Sequence, residues 1–436
     1  MRAKASAIFL IAIIFSVISV AGLALRVRQA RAVSLTLGAD GAELAMDHVT
    51  VLYVSRPGGE TTPILRVGDS VPGGTISEFG VPYQLSGGRV LFGADIIDAG
   101  QHESWDILIA SPGAHGGTQI TRALEHAAVS PGCAPRFIED PSPVANADGA
   151  IAFVAPVQSG GDAVFVSREG ELRCAARTGD KTDGGHRIAR FAFGSMQLGA
   201  DGATIVANAF VRGGRVSHPA LWWHDDPLAI IEITPGLPIS EIAVEGEAGP
   251  GGKRYAVLGL PALARTRGEV VFADDGPGEN SVYVSEHGRT RLVLERGAAS
   301  PGGTIIYVGQ GRPGIASDGT IALRGASRAR EMILRLDQRG RIRVVASARE
   351  TASAPGELAS FGDPVAPIGA ATIFPAMDSA GAEGIFFVDP HGTIHEVDSA
   401  PVHNAAFEVG APARHFVASP TLSVAPDGGF CYLGGR

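Results

Sequence analysis

An Asp-Gly or Gly-Gly turn followed by alternating apolar residues recurs along this chain of 436 residues. A tight two-residue turn that leads into a strand of period two is the strongest short-range signal of a β-hairpin. The recurrence therefore predicts many short antiparallel strands. Its copies are ADGAELAM (39–46), GGRVLFGA (87–94), ADGAIAFVA (147–155), ADGATIVANA (200–209), RGEVVFAD (267–274), SDGTIALRGA (317–326), GAATIFPA (369–376) and PDGGFCYL (426–433).

A second pattern of strand, polar turn and strand follows each copy, as in VFVSREGEL (164–172) and LWWHDDPLA (221–229). A Pro-Gly-Gly phrase or a variant of it comes next, as in VGDSVPGGTI (67–76) and RGAASPGGTI (296–305). Units begin near 38, 86, 146, 199, 265, 317 and 369, with a stub at 425. These intervals suit four antiparallel strands with their loops.

A single four-stranded sheet of this kind cannot bury both of its faces, so the units must stack on one another. A closed ring of such sheets also leaves no long exposed edge. We predict an all-β fold for residues 33–436, a β-propeller of four-stranded blades, with seven blades as the first choice and eight as the second. FCYL (430–433) is expected to close the ring beside N-terminal strands. Pro-Gly-Gly is expected to form a corner between the third and fourth strands.

Residues 1–32 differ from the rest of the chain. Arg2 and Lys4 precede an apolar run over residues 5–25, and Arg26, Arg28 and Arg31 follow it. This order is typical of a signal peptide, but the run is also long enough to span a bilayer once. A cleaved signal and an uncleaved anchor both remain open, and membrane contact is expected only through residues 5–25. Either alternative predicts that the protein is secreted, periplasmic or tethered outside the cytoplasm.

Charge and cysteine content narrow the function further. Residues 33–436 carry a formal charge of −14, because five of the basic groups lie in residues 1–32 and the whole chain carries −9. Such an acidic chain is a poor partner for nucleic acid. Cys133 and Cys174 are the favoured disulfide, since the repeat places them in adjacent units, and Cys431 is left over. No metal-ligand spacing occurs, and neither a metal nor a cofactor is predicted. A monomer is expected.

Two corners carry a family resemblance. Gly68-Asp69…Pro72-Gly73-Gly74 and Gly179-Asp180…Gly184-Gly185 resemble exported bacterial tandem-repeat proteins whose units contain Gly-Asp, Pro-Gly-Gly and a later Asp-Gly turn. Those proteins look like β-propellers and have no settled activity. The resemblance therefore implies architecture and export only. The layout is also loosely similar to kelch and WD-type propellers, without their paired glycine-aromatic and Trp-Asp signatures.

A few residues are candidates for binding. Trp222, Trp223 and His224 could form a sugar or cation subsite, or else a hairpin turn with one Trp in the blade core. Asp69 and Asp180 recur after Gly and could line a binding mouth, or else cap their own turns. GQGRPG (309–314) matches a dinucleotide-binding motif, but Pro313 and the turn-strand that follows argue against a helix there. No catalytic residue is assigned.

The first functional hypothesis is a binding or interaction scaffold at the envelope or cell surface, with a protein or glycan partner. The alternative is a hydrolase or lyase that acts on a sugar or ester at the central channel mouth. A largely structural envelope protein is a third possibility. Carboxylates or histidines that converge on the axis would favour an enzyme, whereas apolar residues there would favour a scaffold. The off-pattern segment Pro227–Pro261 is the expected partner surface.

Overall fold

The computed structural model of the chain describes residues 35–37, 43–45, 50–55, 61–113, 117–125, 127–129, 134–146, 148–158, 160–213, 226–264, 268–276, 279–309, 311–349, 357–362, 366–379, 383–398, 422–424 and 430–435. The chain divides into two compact units, Met1–Val49 and Thr50–Arg436. The first unit holds an antiparallel pair, β1 (Leu35–Leu37) and β2 (Glu43–Ala45). Among the described residues, no helix is long and apolar enough to cross a membrane.

The second unit forms seven sheets, the blades of a β-propeller, as the sequence predicted, and their strands pair antiparallel apart from the short β11, which pairs parallel with β15. The strands of the first three blades are as follows. Blade 1 contains β5 (Ser70–Val71), β6 (Gly74–Phe79), β7 (Tyr83–Gln84), β8 (Val90–Ile97), β9 (Glu103–Pro112) and β10 (Thr118–Arg122); blade 2 contains β11 (Ala128–Val129), β12 (Val144–Ala145), β13 (Ile151–Pro156), β14 (Asp162–Arg168) and β15 (Glu171–Arg177); blade 3 contains β16 (Arg187–Phe191), β17 (Gln197–Leu198), β18 (Ile205–Arg212), β19 (Leu228–Ile233) and β20 (Ser240–Val244).

The other four blades follow the same plan. Blade 4 contains β21 (Ala262–Leu263), β22 (Val270–Gly276), β23 (Glu279–Glu286) and β24 (Arg289–Glu295); blade 5 contains β25 (Ala299–Ser300), β26 (Gly303–Val308), β27 (Gly314–Ile315), β28 (Ile321–Ser327), β29 (Glu331–Leu336) and β30 (Ile342–Ser347); blade 6 contains β31 (Leu358–Phe361), β32 (Ala366–Ile368), β33 (Ala371–Asp378), β34 (Glu383–Val388) and β35 (Ile394–Asp398); blade 7 contains β36 (Leu422–Val424), β37 (Phe430–Gly435), β3 (Thr50–Ser55) and β4 (Thr62–Arg66). Short 3-10 turns occur at Ser86–Gly88 and Pro250–Gly252.

Blade 7 closes the ring with strands from both ends of the described chain. β37 pairs with β3 from Thr50↔Gly435 to Ser55↔Phe430, and it pairs with β36 on its other side. The predicted closing role of FCYL is therefore confirmed. One detail of the repeat was wrong: ADGAELAM belongs to the first unit, and PDGGFCYL supplies the blade strand in its place.

Pairs of aromatic rings fill the middle of several blades. The third or fourth position of the second strand carries an aromatic residue in five blades, and in four of them it stacks on an aromatic residue of the third strand. The stacked pairs are Phe153–Phe165, Phe272–Tyr283, Phe374–Phe386 and Tyr432–Tyr53, with ring centroids 5.0, 5.4, 6.4 and 5.1 Å apart. Such a pair adds about 0.5–1.5 kcal/mol beyond the apolar area that it buries. The repeat of turn and strand is thus also a repeat of the core.

The innermost strand of most blades is split in two. In blade 1, β6 pairs with the end of β8, whereas β7 pairs with its beginning. The second halves are short inner strands that contact those of neighbouring blades, as β36 contacts β7, β12 contacts β17, β17 contacts β21, β21 contacts β27 and β27 contacts β32. Buried apolar side chains occur on several of them, as at Val144 and Ala145 of β12, Leu198 of β17 and Leu263 of β21. We call the segment between the two halves the kink of a blade.

The Pro-Gly-Gly corner lies between blades, not between the third and fourth strands of one blade as predicted. β4 ends blade 7 at Arg66, and β5 and β6 then form a tight hairpin around Pro72-Gly73 before entering blade 1. Gly73 has a φ of 103°, in the left-handed region that glycine tolerates best. The corner recurs because each outermost strand must return to the next innermost strand.

Replacement of Gly74 by Ala tests the packing of this corner. A Cβ at Gly74 would lie 2.1 Å from the carbonyl oxygen of Ile97, so the backbone of β6 or β8 must shift. We expect Gly74→Ala to lower the free energy of unfolding by about 2–3 kcal/mol in urea titrations. Gly117→Ala is the control, because a Cβ there meets no atom within 4 Å. Equal stability of the two variants would contradict the packing described for this corner.

Arginine side chains join neighbouring blades on the rim that carries the Asp-Gly turns, which we call the hairpin rim. Arg168 of blade 2 donates to the carbonyl oxygen of Asp201 at 3.1 Å. Arg335 of blade 5 donates to the carbonyl oxygens of Gly369 and Ala370 at 2.7 and 2.5 Å. The third-to-fourth turn of one blade therefore holds the Asp-Gly turn of the next. The opposite rim, which carries the blade-to-blade corners, we call the corner rim.

Candidate functional site

The corner that leads into blade 3 wraps around an outer-strand carboxylate. His186 is 4% exposed, and its Nδ1 lies 2.8 and 3.0 Å from the two carboxylate oxygens of Glu241 on β20. The hydroxyl of Thr182 also donates to Glu241. A Cβ at Gly184 would strike the carboxylate at 1.9 Å, so the glycine-rich sequence of the corner lets the chain close over it. The result is a buried imidazole–carboxylate pair.

A cavity of about 330 Å³ lies beside this pair, between β20 of blade 3 and the β23–β24 turn of blade 4. We call it the corner cavity. It is lined by residues 241–244 of β20, residues 247–250, Tyr255, Gly288 and Thr290. Its two acidic groups differ in exposure, because the Glu241 side chain is 8% exposed and that of Glu247 is 51% exposed. Glu247 Oε1 is 3.8 Å from Nε2 of His186, so the imidazole lies between two carboxylates.

The acidic groups nearest the axis hold main-chain N–H groups of the kinks. In blade 2, Asp140 accepts hydrogen bonds from the N–H and the hydroxyl of Ser142 at 2.8 and 3.1 Å, and from the N–H of Val81 at 3.4 Å. Burial raises the pKa of Asp140 in spite of these bonds. A Cβ at Gly80 would lie 2.3 Å from the carboxylate, so blade 1 offers a glycine where blade 2 inserts its acid.

Blades 3 and 4 are joined in a similar way. Glu245 is 6% exposed and accepts hydrogen bonds from the N–H groups of Leu228 and Leu258 at 2.8 and 3.1 Å. Asp274 accepts hydrogen bonds from the N–H groups of Ala256 and Val257 at 2.8 and 2.9 Å. Burial raises the pKa of Glu245 to about 8, and the nearby charge of Asp274 contributes in the same direction. These carboxylates therefore hold main-chain segments at the boundary of blades 3 and 4 by hydrogen bonds.

The kink of blade 5 places an arginine at the axial mouth. Nη2 of Arg312 donates to the carbonyl oxygen of Gly194 in blade 3 at 2.7 Å, across the position of blade 4. Nε is buried and makes no hydrogen bond to a described residue. Burial lowers the pKa of Arg312 to about 10, and Tyr83 of blade 1 acts weakly in the opposite direction. GQGRPG leads into β27 rather than into a helix, as its sequence indicated.

Two of the predicted binding residues cap their own turns. Asp69 accepts a hydrogen bond from the N–H of Arg66 at 2.9 Å, and Asp180 accepts one from the N–H of Arg177 at 2.7 Å. They belong to separate corners, one before blade 1 and one before blade 3. A role of either carboxylate in binding stays a prediction.

The other predicted site residues lie outside the described part of the chain. Trp222, Trp223 and His224 fall in the segment 214–225, which lies between β18 and β19. The sequence predicted LWWHDDPLA (221–229) to be strand, polar turn and strand, and in the described part of blade 3 a hairpin joins β19 to β20. A role of Trp222, Trp223 and His224 in binding stays a prediction.

Two cysteines are among the described residues. Cys174 on β15 takes part in a disulfide, whereas Cys431 on β37 is buried and lies in the core of the ring. Cys133 lies outside the described residues, so the pair Cys133–Cys174 stays a prediction.

Sequence analysis did not identify His186, Glu241 or Arg312 as functional candidates. His186 follows Gly184-Gly185 directly and had been treated as part of a plain corner. Its partner Glu241 is 55 residues away, and Gly194 is 118 residues from Arg312. The available signal was weak: a His within a glycine corner, and an Arg within a Gly-Pro turn.

Comparisons with known proteins give a family and distant structural likenesses. The profile of a family of unknown function, DUF7453, matches residues 42–399. No curated protein sequence matches the chain. A puromycin hydrolase is similar at 12% identity and a TM-score of 0.39, covering 79% of this chain and 55% of that one. Prolyl oligopeptidase B from Galerina marginata is similar at 10% identity and a TM-score of 0.40, covering 72% of this chain and 42% of that one. A putative 6-phosphogluconolactonase from Bacteroides fragilis is similar at 13% identity and a TM-score of 0.37, covering 82% of this chain and 96% of that one. The chain spans about half the length of the first two proteins.

Proposed function

The chain belongs to DUF7453, a family of unknown function, and we propose from its own geometry that it is an exported β-propeller that binds a protein or glycan partner at the corner cavity. The observation that carries this proposal is the cavity itself. It lies between blades 3 and 4 of a ring whose blades are joined by hydrogen bonds, so the surface around it is presented by a rigid frame.

The size and lining of the corner cavity indicate what it would hold. A volume of about 330 Å³ is at the lower end of the range of small-molecule sites and suits one side chain or one sugar unit of a larger partner. Ile242 and Tyr255 supply an apolar floor, while Glu247 offers a half-exposed carboxylate. This combination favours a cationic side chain or sugar hydroxyls. The cavity also lies within Pro227–Pro261 for most of its lining, where the sequence suggested a partner surface.

Export is supported by covalent chemistry in blade 2. Cys174 takes part in a disulfide, and disulfides persist in oxidising compartments such as the periplasm and the cell exterior. The apolar run over residues 5–25 supplies the means of export in this proposal, as a cleaved signal or as an anchor. Both observations support a place outside the cytoplasm.

A second function is favoured by the imidazole–carboxylate pair. His186 is oriented by Glu241 through Nδ1, which is how a carboxylate prepares an imidazole for general base catalysis. Its Nε2 faces Glu247, which lines the cavity. A hydrolase acting on a sugar or ester at this cavity is therefore the alternative to a binding scaffold.

Arrays of glycans and of lysine- or arginine-rich peptides, probed with the full chain, test the binding proposal. We expect Glu247→Gln to weaken the bound probes at least about tenfold, because it removes the exposed charge of the cavity. Glu169→Gln is the matched control, since its side chain is 82% exposed on the hairpin rim. Probes that bind both variants as tightly as the unchanged chain would refute binding at this cavity.

Rates of hydrolysis test the alternative function, a hydrolase. A panel of chromogenic esters and glycosides would be hydrolysed by a catalytic cavity, and His186→Gln would lower that rate by about 100-fold or more. Hydrolysis with this dependence would replace the scaffold proposal by the enzyme. Hydrolysis that His186→Gln leaves unchanged would exclude the imidazole as its base.

A further inference from the structure

We propose that the axial mouth of the ring is a binding site for a small organic oxyanion, a carboxylate or a phosphate ester, with Arg312 as its cation. The site is distinct from the corner cavity, and the inference goes beyond the proposed scaffold function and does not depend on it. Arg312 enters from the kink of blade 5 and reaches the kink of blade 3 at Gly194.

The positive charge of Arg312 has no counter-charge among the described residues. Of the described acidic residues, none has a carboxylate oxygen within 4 Å of its guanidinium. The group remains protonated at neutral pH, because burial lowers its pKa only to about 10. A guanidinium that is partly withdrawn from water without a counter-charge loses hydration that no ion pair replaces. A bound anion would supply the missing charge.

The guanidinium of Arg312 also has N–H donors that the described residues do not use. A guanidinium has five N–H donors in a fixed fork. The hydrogen bond of Arg312 to a described residue is that from Nη2 to Gly194 O, and Nε is buried without an acceptor. Since the side chain keeps part of its surface exposed, donors remain available to a ligand in the mouth. Planar oxyanions match this fork better than a spherical ion does.

The buried acids of blades 2, 3 and 4 are engaged by main-chain groups of their own surroundings. Asp140 is held by Ser142 and by the N–H of Val81. Glu245 and Asp274 hold the N–H groups of blades 3 and 4. None of these three carboxylates is among the charges that act on the pKa of Arg312, and burial is the largest cause of its shift.

The surface beside Gly194 indicates which kind of anion would bind. Phe193 directly precedes Gly194 in the kink of blade 3. Its side chain is 38% exposed, whereas most other described aromatic side chains of the propeller are buried. An apolar surface beside the carbonyl that holds Arg312 favours an organic anion over an inorganic one. The short inner strands that follow the kinks carry buried side chains such as Leu198 and Leu263, so the kinks are the expected contact surface of the ligand.

Thermal unfolding of the full chain in phosphate, acetate or chloride at constant ionic strength tests the site. At about 20 mM anion we expect phosphate or acetate to raise Tm by about 2 °C above chloride, since a ligand that binds only the folded state stabilises it. Arg312→Met should abolish that rise. Arg289→Met, on the exposed edge strand β24, should keep it. A rise in phosphate alone assigns a phosphate ester, and a rise in acetate alone assigns a carboxylate.

Two results would overturn the inference: equal Tm values of the unchanged chain in the three salts, or a rise that survives in Arg312→Met. If Arg312→Met does not fold, the unchanged chain and Arg312→Lys still decide the matter. Phosphate resonances in ³¹P spectra should broaden with the unchanged chain and sharpen again with excess acetate. They should broaden less with Arg312→Lys, which keeps the charge and loses the planar fork. Spectra that the unchanged chain leaves sharp would refute the site.

Discussion

A chain that ends before Phe430 is expected to lose cooperative unfolding altogether. Such a truncation removes β37, which is hydrogen-bonded to β3 along six residue pairs and to β36 along three. It also removes Tyr432, which is fully buried and stacked on Tyr53. Blade 7 would keep β3, β4 and an unpaired β36, and the faces of blades 1 and 6 would be uncovered. The expected loss exceeds about 5 kcal/mol, comparable with the whole stability of many domains.

Near-ultraviolet circular dichroism and urea titration measure this effect. The intact chain should show one sharp transition, and the truncated chain a broad one with little tertiary signal. Tyr432→Ala is a milder test and should cost about 3–5 kcal/mol. Tyr432→Phe is its control, because it keeps the ring stacked on Tyr53 and should cost less than half as much. A truncated chain with an unchanged transition would show that the ring does not depend on this closure.

The stability of the ring is expected to fall as pH rises from about 4.5 to 8, because of Glu245. Burial raises the pKa of this carboxyl from 4.5 to about 8. The folded state therefore holds a proton that the unfolded chain has already released in this interval. The proton stabilises the folded state fully below pH 4.5, and the contribution is lost as pH rises through 8. A shift of this size corresponds to about 3–5 kcal/mol.

Urea titrations of the unchanged chain and of Glu245→Gln between pH 4.5 and 8.5 isolate this contribution. The difference in unfolding free energy between the two should change with pH by about 3–5 kcal/mol. At low pH the variant should be the less stable, since its amide can accept only one of the two N–H groups. Glu169→Gln provides the control, because its exposed side chain should leave the pH dependence unchanged. Parallel pH profiles for the unchanged chain and Glu245→Gln would show that this carboxyl titrates normally.

The sequence predicted the blades well because their signals are local. The Asp-Gly turns and the alternating strands are read within about ten residues, and Phe153 with Phe165 shows how each hairpin builds its own core. The number of blades and the closure by FCYL followed from counting these turns. The position of Pro-Gly-Gly was wrong because the same local corner suits either a turn within a blade or a return between blades. Only the pairing of β6 with β8, across an intervening turn, distinguishes them.

The sites escaped prediction because they join residues that are distant in sequence. His186 meets Glu241 only after the corner has folded back on the outer strand of its own blade. Arg312 meets Gly194 only in a complete ring. Neither contact has a periodicity that a repeat could reveal, since each occurs once. Trp222 and Trp223 were selected as candidates instead, because two consecutive tryptophans are unusual in a sequence.

The pairing of Ser55 with Phe430 also sets an order of events in the cell, since these residues are 375 positions apart. At about 5–20 residues per second, β3 leaves the ribosome about 20–75 seconds before its partner strand exists. During that time Tyr53 and the edge of β3 are open to other chains. A protein built in this way benefits from delayed collapse, either by passage through a translocation channel or by a holding chaperone. The synthesis of β37 thus decides when the exposed edge of β3 is protected from aggregation.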